Sequence, residues 1–412
     1  MSKLFYLGVG GAGGAKRFIA EALVDLGYQL VVLAEQVPAW MDPFMVDYLA
    51  ADPTDPTALE RAVAIGRAHG VDGVFTCDEL YVELAAEVAR GLGLPGLTSQ
   101  AALLCRDKHA MRQRLERAGI PSPRSIMVDS RSQALDVAER IGYPVVLKPR
   151  NLGGSMGVVR ADRAADVERF FAVAHAANLS GVTAMSGVLV EDYLEGPEFS
   201  VESVSAGGVT TICGITEKVV GFPPYFEEIG HYARPVDPDD PLDARLAEVT
   251  LRVHQAFGVA VGITHCELIN TAKGPYVVEI AARAGGDRIP VITKLASGID
   301  LIAAGASAAT GAVPDLRPTE ARVAGVRMVY PPHRGVISRL DARHVPPGLL
   351  AEMGWYAKVG QFVALPPEAH LARLAYLIAT GTTKADVARR LDEAVAALDI
   401  EVSHAEPARH AS

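Results

Sequence analysis

"VVLKPRNLGGSMGV", residues 145–158, reads as a strand that delivers a lysine into a glycine-rich turn. The apolar run 145–147 leads to Lys148, Pro149 ends the strand pairing, and a second strand is expected at 157–160. Gly153, Gly154 and Gly157 mark the loop between them. Glycines let backbone N–H groups approach a phosphate closely, and a lysine at a strand end supplies a point charge. The stretch is not a Walker A loop, because nothing in it fits G-x-x-x-x-G-K-[ST]. A flexible hairpin loop with a solvated lysine would look the same in isolation, so the stretches on either side decide.

Downstream, "VLVEDYLEGPEFSVE" (188–202) carries an apolar strand into acidic residues, turns at Gly196–Pro197 and resumes as a strand after Glu198. A solvated strand–turn–strand fits this pattern. So does a backbone linker that bonds an adenine edge, followed by an acid on the ribose. Farther on, strands at 265–269 and 276–280 flank the turn "TAKGP" (271–275). A turn centred on Lys273 puts Glu267 and Glu279 opposite each other on one face. Two carboxylates so placed repel unless a cation bridges them. An oxygen-only pair suits Mg²⁺, which commonly takes one or two carboxylates plus substrate phosphates. Arg283, an even number of residues after Glu279, can face the same site and hold a phosphoryl group or a carboxylate. Two exposed hairpin acids are the plain alternative.

The N-terminus carries a competing signal. "YLGVGGAGGAKR" (6–17) places Gly8, Gly10 and Gly13 in the G-x-G-x-x-G spacing, after a strand at 4–7 and before a helix at 15–26. A second strand, 30–34, ends in Glu35, where a ribose-binding acid would sit in a nicotinamide or flavin enzyme. Helices near 57–69 and 82–90 and a strand at 73–76 continue the alternation, which indicates a parallel sheet with βαβ crossovers. A helix at 107–118 then stops at "AGIPSP", and strands cluster thereafter as an antiparallel α+β region. Beyond about residue 321 further short strands, a helix at 384–397 and a frayed polar end are expected.

Composition narrows the class of partner. Half of the 412 residues are hydrophobic and 21% are charged, an ordinary globular balance. The net charge of −10 with no basic stripe argues against nucleic acid. No apolar run approaches the roughly 20 residues that span a bilayer, and no signal peptide is evident. Cys77, Cys105, Cys213 and Cys266 are scattered with no C-x-x-C spacing, which suits a reducing, cytoplasmic setting.

Taken in order, these blocks resemble the ATP-grasp superfamily of carboxylate–amine ligases over roughly residues 1–380. The resemblance implies an α/β and α+β chain: an ATP-grasp fold with an N-terminal Rossmann-like pre-ATP-grasp domain. It divides the chain into residues 1–100 (that domain), 101–190 (a lid with the nucleotide lysines and glycine loop), 191–320 (a larger subdomain with the metal site) and 321–412 (a C-terminal α/β extension). By the same resemblance Lys108 in "CRDKHAM" and Lys148 are the nucleotide lysines, and Gly153, Gly154, Ser155 and Met156 belong to the loop over the phosphates. Glu191 takes the adenine amino group, Tyr193 and Leu194 give backbone contacts, and Glu198 holds the ribose. Glu267 and Glu279 are the metal acids for Mg²⁺, for which Mn²⁺ can substitute. Ala281 stands where many members place an asparagine ligand. "VEIAARAGGDRIP" and "EKVVGFPPYFEEIGHYARP" look most like the L-amino acid ligases and related ligases of antibiotic biosynthesis. Lys218 and His231 then lie over the acyl site, in and beside a 219–235 loop, with Lys218 on the nucleotide and His231 on the phosphate or acyl phosphate. Arg283, Lys148 and His231 are the expected catalytic residues, and Glu79 and Asp287 can bind a substrate ammonium. ATP and small-molecule carboxylate and amine substrates are the implied partners, and a homodimer is a compatible assembly. In this family the glycine fingerprint binds no dinucleotide. Three rival readings are a bicarbonate-using carboxylase, a nicotinamide oxidoreductase and a non-catalytic nucleotide-binding protein.

Overall fold

The computed structural model describes residues 1–10, 16–177 and 185–404. Gly13 of the fingerprint and the expected frayed end beyond 404 lie outside these residues. The chain opens with β1 (Lys3–Leu7), α1 (Arg17–Asp25), β2 (Gln29–Ala34), β3 (Met45–Ala50), α2 (Ala58–His69), β4 (Gly73–Thr76) and α3 (Val82–Leu92). The four strands form a parallel sheet in the order β3-β2-β1-β4. β1 and β2 are almost continuous apolar runs because helices cover both faces of this sheet. Gly8 ends β1 with φ +76°, and a Cβ there would stand 2.5 Å from the Asp78 Cβ and the Tyr81 ring. The first glycine of the fingerprint is thus a packing residue.

Next come α4 (Ser99–Arg106), α5 (Lys108–Arg117), β5 (Ser125–Val128), α6 (Arg131–Ile141), β6 (Val145–Pro149), β7 (Val159–Ala161), α7 (Ala164–Ala176) and β8 (Val188–Asp192). Asp107 separates α4 from α5 and caps α5 by accepting from the His109 N–H at 3.0 Å. The strands make an antiparallel sheet, β5-β8-β6-β7, closed by apolar residues of α6 and α7 such as Val137, Phe170 and Phe171.

The remainder builds one long sheet. Its strands are β9 (Glu198–Ala206), β10 (Val209–Gly221), β11 (Glu227–Arg234), β12 (Gly262–Thr271), β13 (Gly274–Ala281) and β14 (Val323–Val329), with α8 (Pro241–Phe257), α9 (Ile289–Ser297) and α10 (Leu301–Ala309) packed on it. After β15 (Gly335–Asp341) follow β16 (Glu352–Trp355), β17 (Phe362–Val363), β18 (Ala375–Gly381), α11 (Lys384–Ala396) and β19 (Asp399–Ser403). The eight-stranded order is β13-β12-β9-β10-β11-β14-β18-β16, so strands from the C-terminal hundred residues extend the sheet that carries the acids. β15, β17 and β19 form a small separate sheet. The segment 219–235, expected as a loop, is mostly strand: β10 runs on to Gly221, β11 starts at Glu227, and Lys218 pairs with His231. Its alternation is masked in the sequence because the inward positions carry ions rather than apolar side chains. Among the described residues no single helix is long and apolar enough to cross a membrane, and all four cysteines are buried thiols.

Candidate active site

The link between the two antiparallel sheets creates the first cavity. β8 ends at Asp192, and the chain crosses to β9 through Tyr193–Pro197. Gly196, at φ +150°, lets this crossing press on the β12–β13 hairpin, since a Cβ would lie 2.2 Å from the Asn270 carbonyl oxygen. Beneath the crossing lies a cavity of about 120 Å³. Lys108, Lys148, Gly153, Gly154, Ser155, Glu191, Tyr193, Leu194 and Glu198 line it, with Glu267, Glu279 and Arg283. Met156 does not; it faces the second cavity described below.

The cations here are buried and each is matched by acid. Lys148 Nζ lies 2.6 Å from Glu191, whose two oxygens also accept from Arg112 Nε at 2.8 Å and Nη2 at 3.1 Å. Burial and the neighbouring Arg112 push Lys148 down to about 8 despite Glu191. Burial alone would raise Glu191, but Arg112 and Lys148 outweigh it and hold the carboxyl at about 2. The Glu191 carboxylate is therefore a bridge between two cations in this structure, and the adenine contact expected of it competes with them.

Glu267 and Glu279 face each other across β12 and β13, as the spacing implies. The route differs from the simple turn. The loop is only Ala272–Lys273, and Val278 bulges between the Leu268–Val277 and Glu267–Glu279 pairs, restoring the register. The bulged Val278 carbonyl accepts from Arg112 Nη2 at 2.7 Å. The expected bare repulsion between the two acids is also corrected. Lys218 Nζ reaches Glu267 at 2.6 Å and Lys108 Nζ reaches Glu279 at 3.0 Å, so each acid already has a cation. A set of paired carboxylate oxygens held by displaceable lysines fits magnesium, while Ala281 lines the cavity and offers no donor atom.

Lys218 is the hub of a buried network rather than a cavity-lining residue. Its ammonium also meets Glu198 and Glu228, both at 2.8 Å. Burial opposes its charge, but these acids outweigh burial and raise its pKa well above the ordinary value. His231 has no exposed side-chain surface and lines neither cavity; Nε2 lies 3.3 Å from Glu228 and 3.4 Å from Asp287. Burial disfavours the imidazolium, yet Asp287 and Glu228 prevail and raise its pKa. Behind Glu267, His265 Nε2 stands 3.1 Å away, and its Nδ1 stands 2.7 Å from the fully buried Glu202.

A second cavity, of about 570 Å³, adjoins the first and shares Gly153, Gly154 and Arg283 with it. Lys16, Asp78, Glu79, Arg106, Asp287 and Arg373 supply its charges, and Phe18, Leu80, Met156, Pro290, Tyr356 and Leu371 its apolar wall. Glu79 is no surface acid: it meets Arg106 at 2.8 Å and Arg283 at 2.6 Å. Burial would raise its pKa, but Arg283 and Arg106 hold it at about 2. Arg283 is likewise buried against its charge, and Glu79 and Glu279 raise its pKa. Asp287 is clamped by Arg373, with one contact at 2.6 Å.

Comparison with known proteins identifies the family. Residues 141–291 match the ATP-grasp domain family and residues 20–96 the ATP-grasp N-terminal domain. The chain belongs to the ATP-grasp superfamily. Within it the chain resembles the L-amino acid ligases. The uncharacterized protein y4rH of Sinorhizobium fredii is 28% identical over 403 residues, covering 94% of this chain and 80% of that protein. Alanine–anticapsin ligase of Bacillus subtilis is 28% identical over 264 residues, 59% of this chain and 55% of the ligase. That match spans just over half of the ligase's length. The fold matches an L-amino acid ligase from Bacillus licheniformis with a TM-score of 0.81 at 23% identity, over 98% of this chain and 99% of that one. Phosphoribosylglycinamide synthetase from Anaerococcus prevotii matches with a TM-score of 0.73 at 17% identity, over 98% and 100%.

Several residues of this ATP-grasp site were not read from the sequence. Arg112 follows Lys108 by one helical turn of α5, and Glu202 and His265 stand at even spacing from Glu198 and Glu267 on their strands. Those periods were available signals. Arg106, Glu228 and Arg373 reach the site from elements whose approach only the fold supplies.

Proposed function

We propose that the chain is an ATP-dependent ligase that joins a carboxylate to an amine, with an amino acid among its substrates and an amide as product. One observation carries this reading: a cavity lined by Lys108, Lys148, Glu267 and Glu279 and a larger, mostly apolar one meet at Arg283, Gly153 and Gly154. That junction is where a γ-phosphate reaching out of the first cavity would meet a carboxylate held in the second. The substrate carboxylate oxygen attacks the γ-phosphorus, the bond to the β-phosphate oxygen breaks, and ADP leaves. The amine nitrogen then attacks the acyl carbon, phosphate departs, and the nitrogen gives up a proton.

This chain's part is positioning and charge neutralisation, as in phosphoryl transfer generally. Lys108 and Lys148 approach the nucleotide side, and Arg283, fixed by Glu79, faces both partners at the junction. Glu267 and Glu279 would hold magnesium, which supplies neutralisation of the phosphate oxygens. Lys108, now on Glu279, is then free to face phosphate, while Lys218 keeps Glu198 and Glu228. His231 acts at one remove, orienting Glu228 and Asp287. The loop at 153–157 excludes water from the acyl phosphate. The kinship with alanine–anticapsin ligase and an L-amino acid ligase supports an amino-acid substrate. A pairwise screen of amino acids and small carboxylates, scored by phosphate release and mass detection of product, tests the proposal. ATP-dependent amide formation is the expected result; phosphate release only with bicarbonate, or none at all, overturns it.

A further inference from the structure

Leu371 occupies a backbone conformation that suits glycine, with φ at +54°. Such a conformation persists in a branched residue only where the surroundings over-determine it. Here they do. Glu227 on β11 is almost fully buried and accepts from the Leu371 N–H at 3.1 Å and the Tyr330 hydroxyl at 2.9 Å, with His370 Nδ1 at 2.8 Å. Two residues on, Arg373 is clamped to Asp287 and donates to the Tyr330 hydroxyl at 3.2 Å. The Leu374 N–H bonds the Val329 carbonyl at 2.7 Å.

This anchoring presents the leucine side chain to the second cavity. Leu371 stays 37% exposed although its neighbours are pinned. It lines the cavity described above and also a separate hollow, so it belongs to the wall the two have in common. Tyr356 stands in both walls as well. The same side chain reaches the glycine loop: a Cβ built on Gly154 would lie 3.2 Å from Leu371 Cδ1. A glycine would satisfy the backbone without strain, so what the leucine adds is bulk at this wall.

We infer that Leu371 limits the size of the amino-acid side chain the cavity accepts, which makes the C-terminal segment 368–373 a specificity element of the ligase. The inference rests on the ligase reading above. One methylene in an apolar pocket is worth about tenfold or more in discrimination, so removing a whole isobutyl group is readily measured.

The experiment compares wild type, Leu371→Gly and Leu371→Phe on a panel running from glycine and alanine to leucine, phenylalanine and tryptophan, in all pairs. Relative kcat/KM for the large members over the small ones should rise about tenfold or more in Leu371→Gly and fall in Leu371→Phe. The KM for ATP should stay unchanged, and Leu371→Gly should melt no lower than wild type because it relieves the backbone. An unchanged ranking in folded variants overturns the inference. So does a shift in the KM for ATP alone, which would make Leu371 a support for the glycine loop. If wild type releases phosphate with no pair on the panel, the ligase reading itself fails and this inference falls with it.

Discussion

The two cavities are both rich in buried ions, yet they are built differently. On the nucleotide side two lysines line the cavity, each resting on one carboxylate, Lys148 on Glu191 and Lys108 on Glu279, with Lys218 buried behind them on Glu198, Glu228 and Glu267. On the substrate side the cations are mainly arginines in forked or shared pairs, Arg106 and Arg283 on Glu79 and Arg373 on Asp287, set in an apolar wall. A lysine is a flexible point charge that can be handed from acid to phosphate, whereas an arginine fork fixes geometry. On the proposed ligase reading, the first cavity can exchange partners during the reaction while the second holds a shape.

Breaking the exchangeable side should have the largest effect. Lys148→Ala removes a charge that compensates phosphoryl transfer, and the rate should fall by roughly 10² to 10⁴. The fold should survive, because Glu191 keeps both bonds from Arg112. Near-normal turnover in a variant with a native melting transition would remove Lys148 from the machinery.

Glu279→Gln sharpens the comparison from the acid side. Activity should drop by roughly 10² to 10³, the scale of losing one electrostatic contact to the transition state. Stabilisation by ATP with magnesium should shrink as affinity falls. From register alone the metal-free variant is expected to gain stability, since two facing carboxylates repel. The Lys108 contact at 3.0 Å reverses that sign: the variant should lose stability because a buried ammonium loses its partner. Thermal melts of both proteins, with and without ATP and magnesium, read the two stability effects, and a phosphate-release assay reads the first. A variant more stable than wild type without ligand would mean Lys108 does not rest on Glu279.

The substrate side is sharpened by acid. Glu79 is held at about 2 against an ordinary 4.5, so the stability drawn from Arg283 and Arg106 is fully present above about pH 4.5 and disappears as the pH falls towards 2. A depression of that size corresponds to roughly 3 kcal/mol. Urea denaturation of wild type and Glu79→Gln should show a stability difference that is constant near neutrality and closes between pH 4.5 and 2. A difference that does not vary with pH would mean Glu79 is not ion-paired.

The same contrast explains what the sequence made legible. The nucleotide side is written in short contiguous stretches: Lys148 with its glycine loop, Glu191 to Glu198, and Glu267 with Glu279 on one hairpin. Strand period and turn position are local rules, so they placed these residues and even the facing of the two acids, although a bulge at Val278 rather than a symmetric turn achieves it. The substrate side is assembled from α1, the approach to α3, the approach to α9 and the segment before β18. No local rule joins Glu79 to Arg283 or Asp287 to Arg373, at sequence separations of 204 and 86. The contact of His231 with phosphate is an expectation from the resemblance of its segment to the cover of an acyl site, which the register of a strand does not test. On β11 it is buried, and its Nε2 meets Glu228 and Asp287 instead of either cavity.

The smallest expected effect is none, and it concerns the fingerprint. In a doubly wound sheet a dinucleotide lies at the switch point where strand order reverses, here between β1 and β4. Among the described residues, the Gly8 end of that crevice is closely packed. Asp78 and the Tyr81 ring pack where any side chain on Gly8 would go, and Lys16 Nζ bonds Asp78 at 2.6 Å. Tyr81 also accepts from the Glu35 N–H at 2.9 Å, so the end of β2 is tied to the same plug. Lys16 and Asp78 line the second cavity, which gives the crevice a place in the substrate wall. A saturating ligand at about a hundred times its Kd stabilises the folded state by roughly 2.7 kcal/mol, a shift that melting readily detects. ATP with magnesium should produce such a shift, and NAD, NADP or a flavin at millimolar concentration should produce none. A saturable shift with a nicotinamide, lost in Gly10→Val, would show that the plug opens and that the first hundred residues bind a dinucleotide after all.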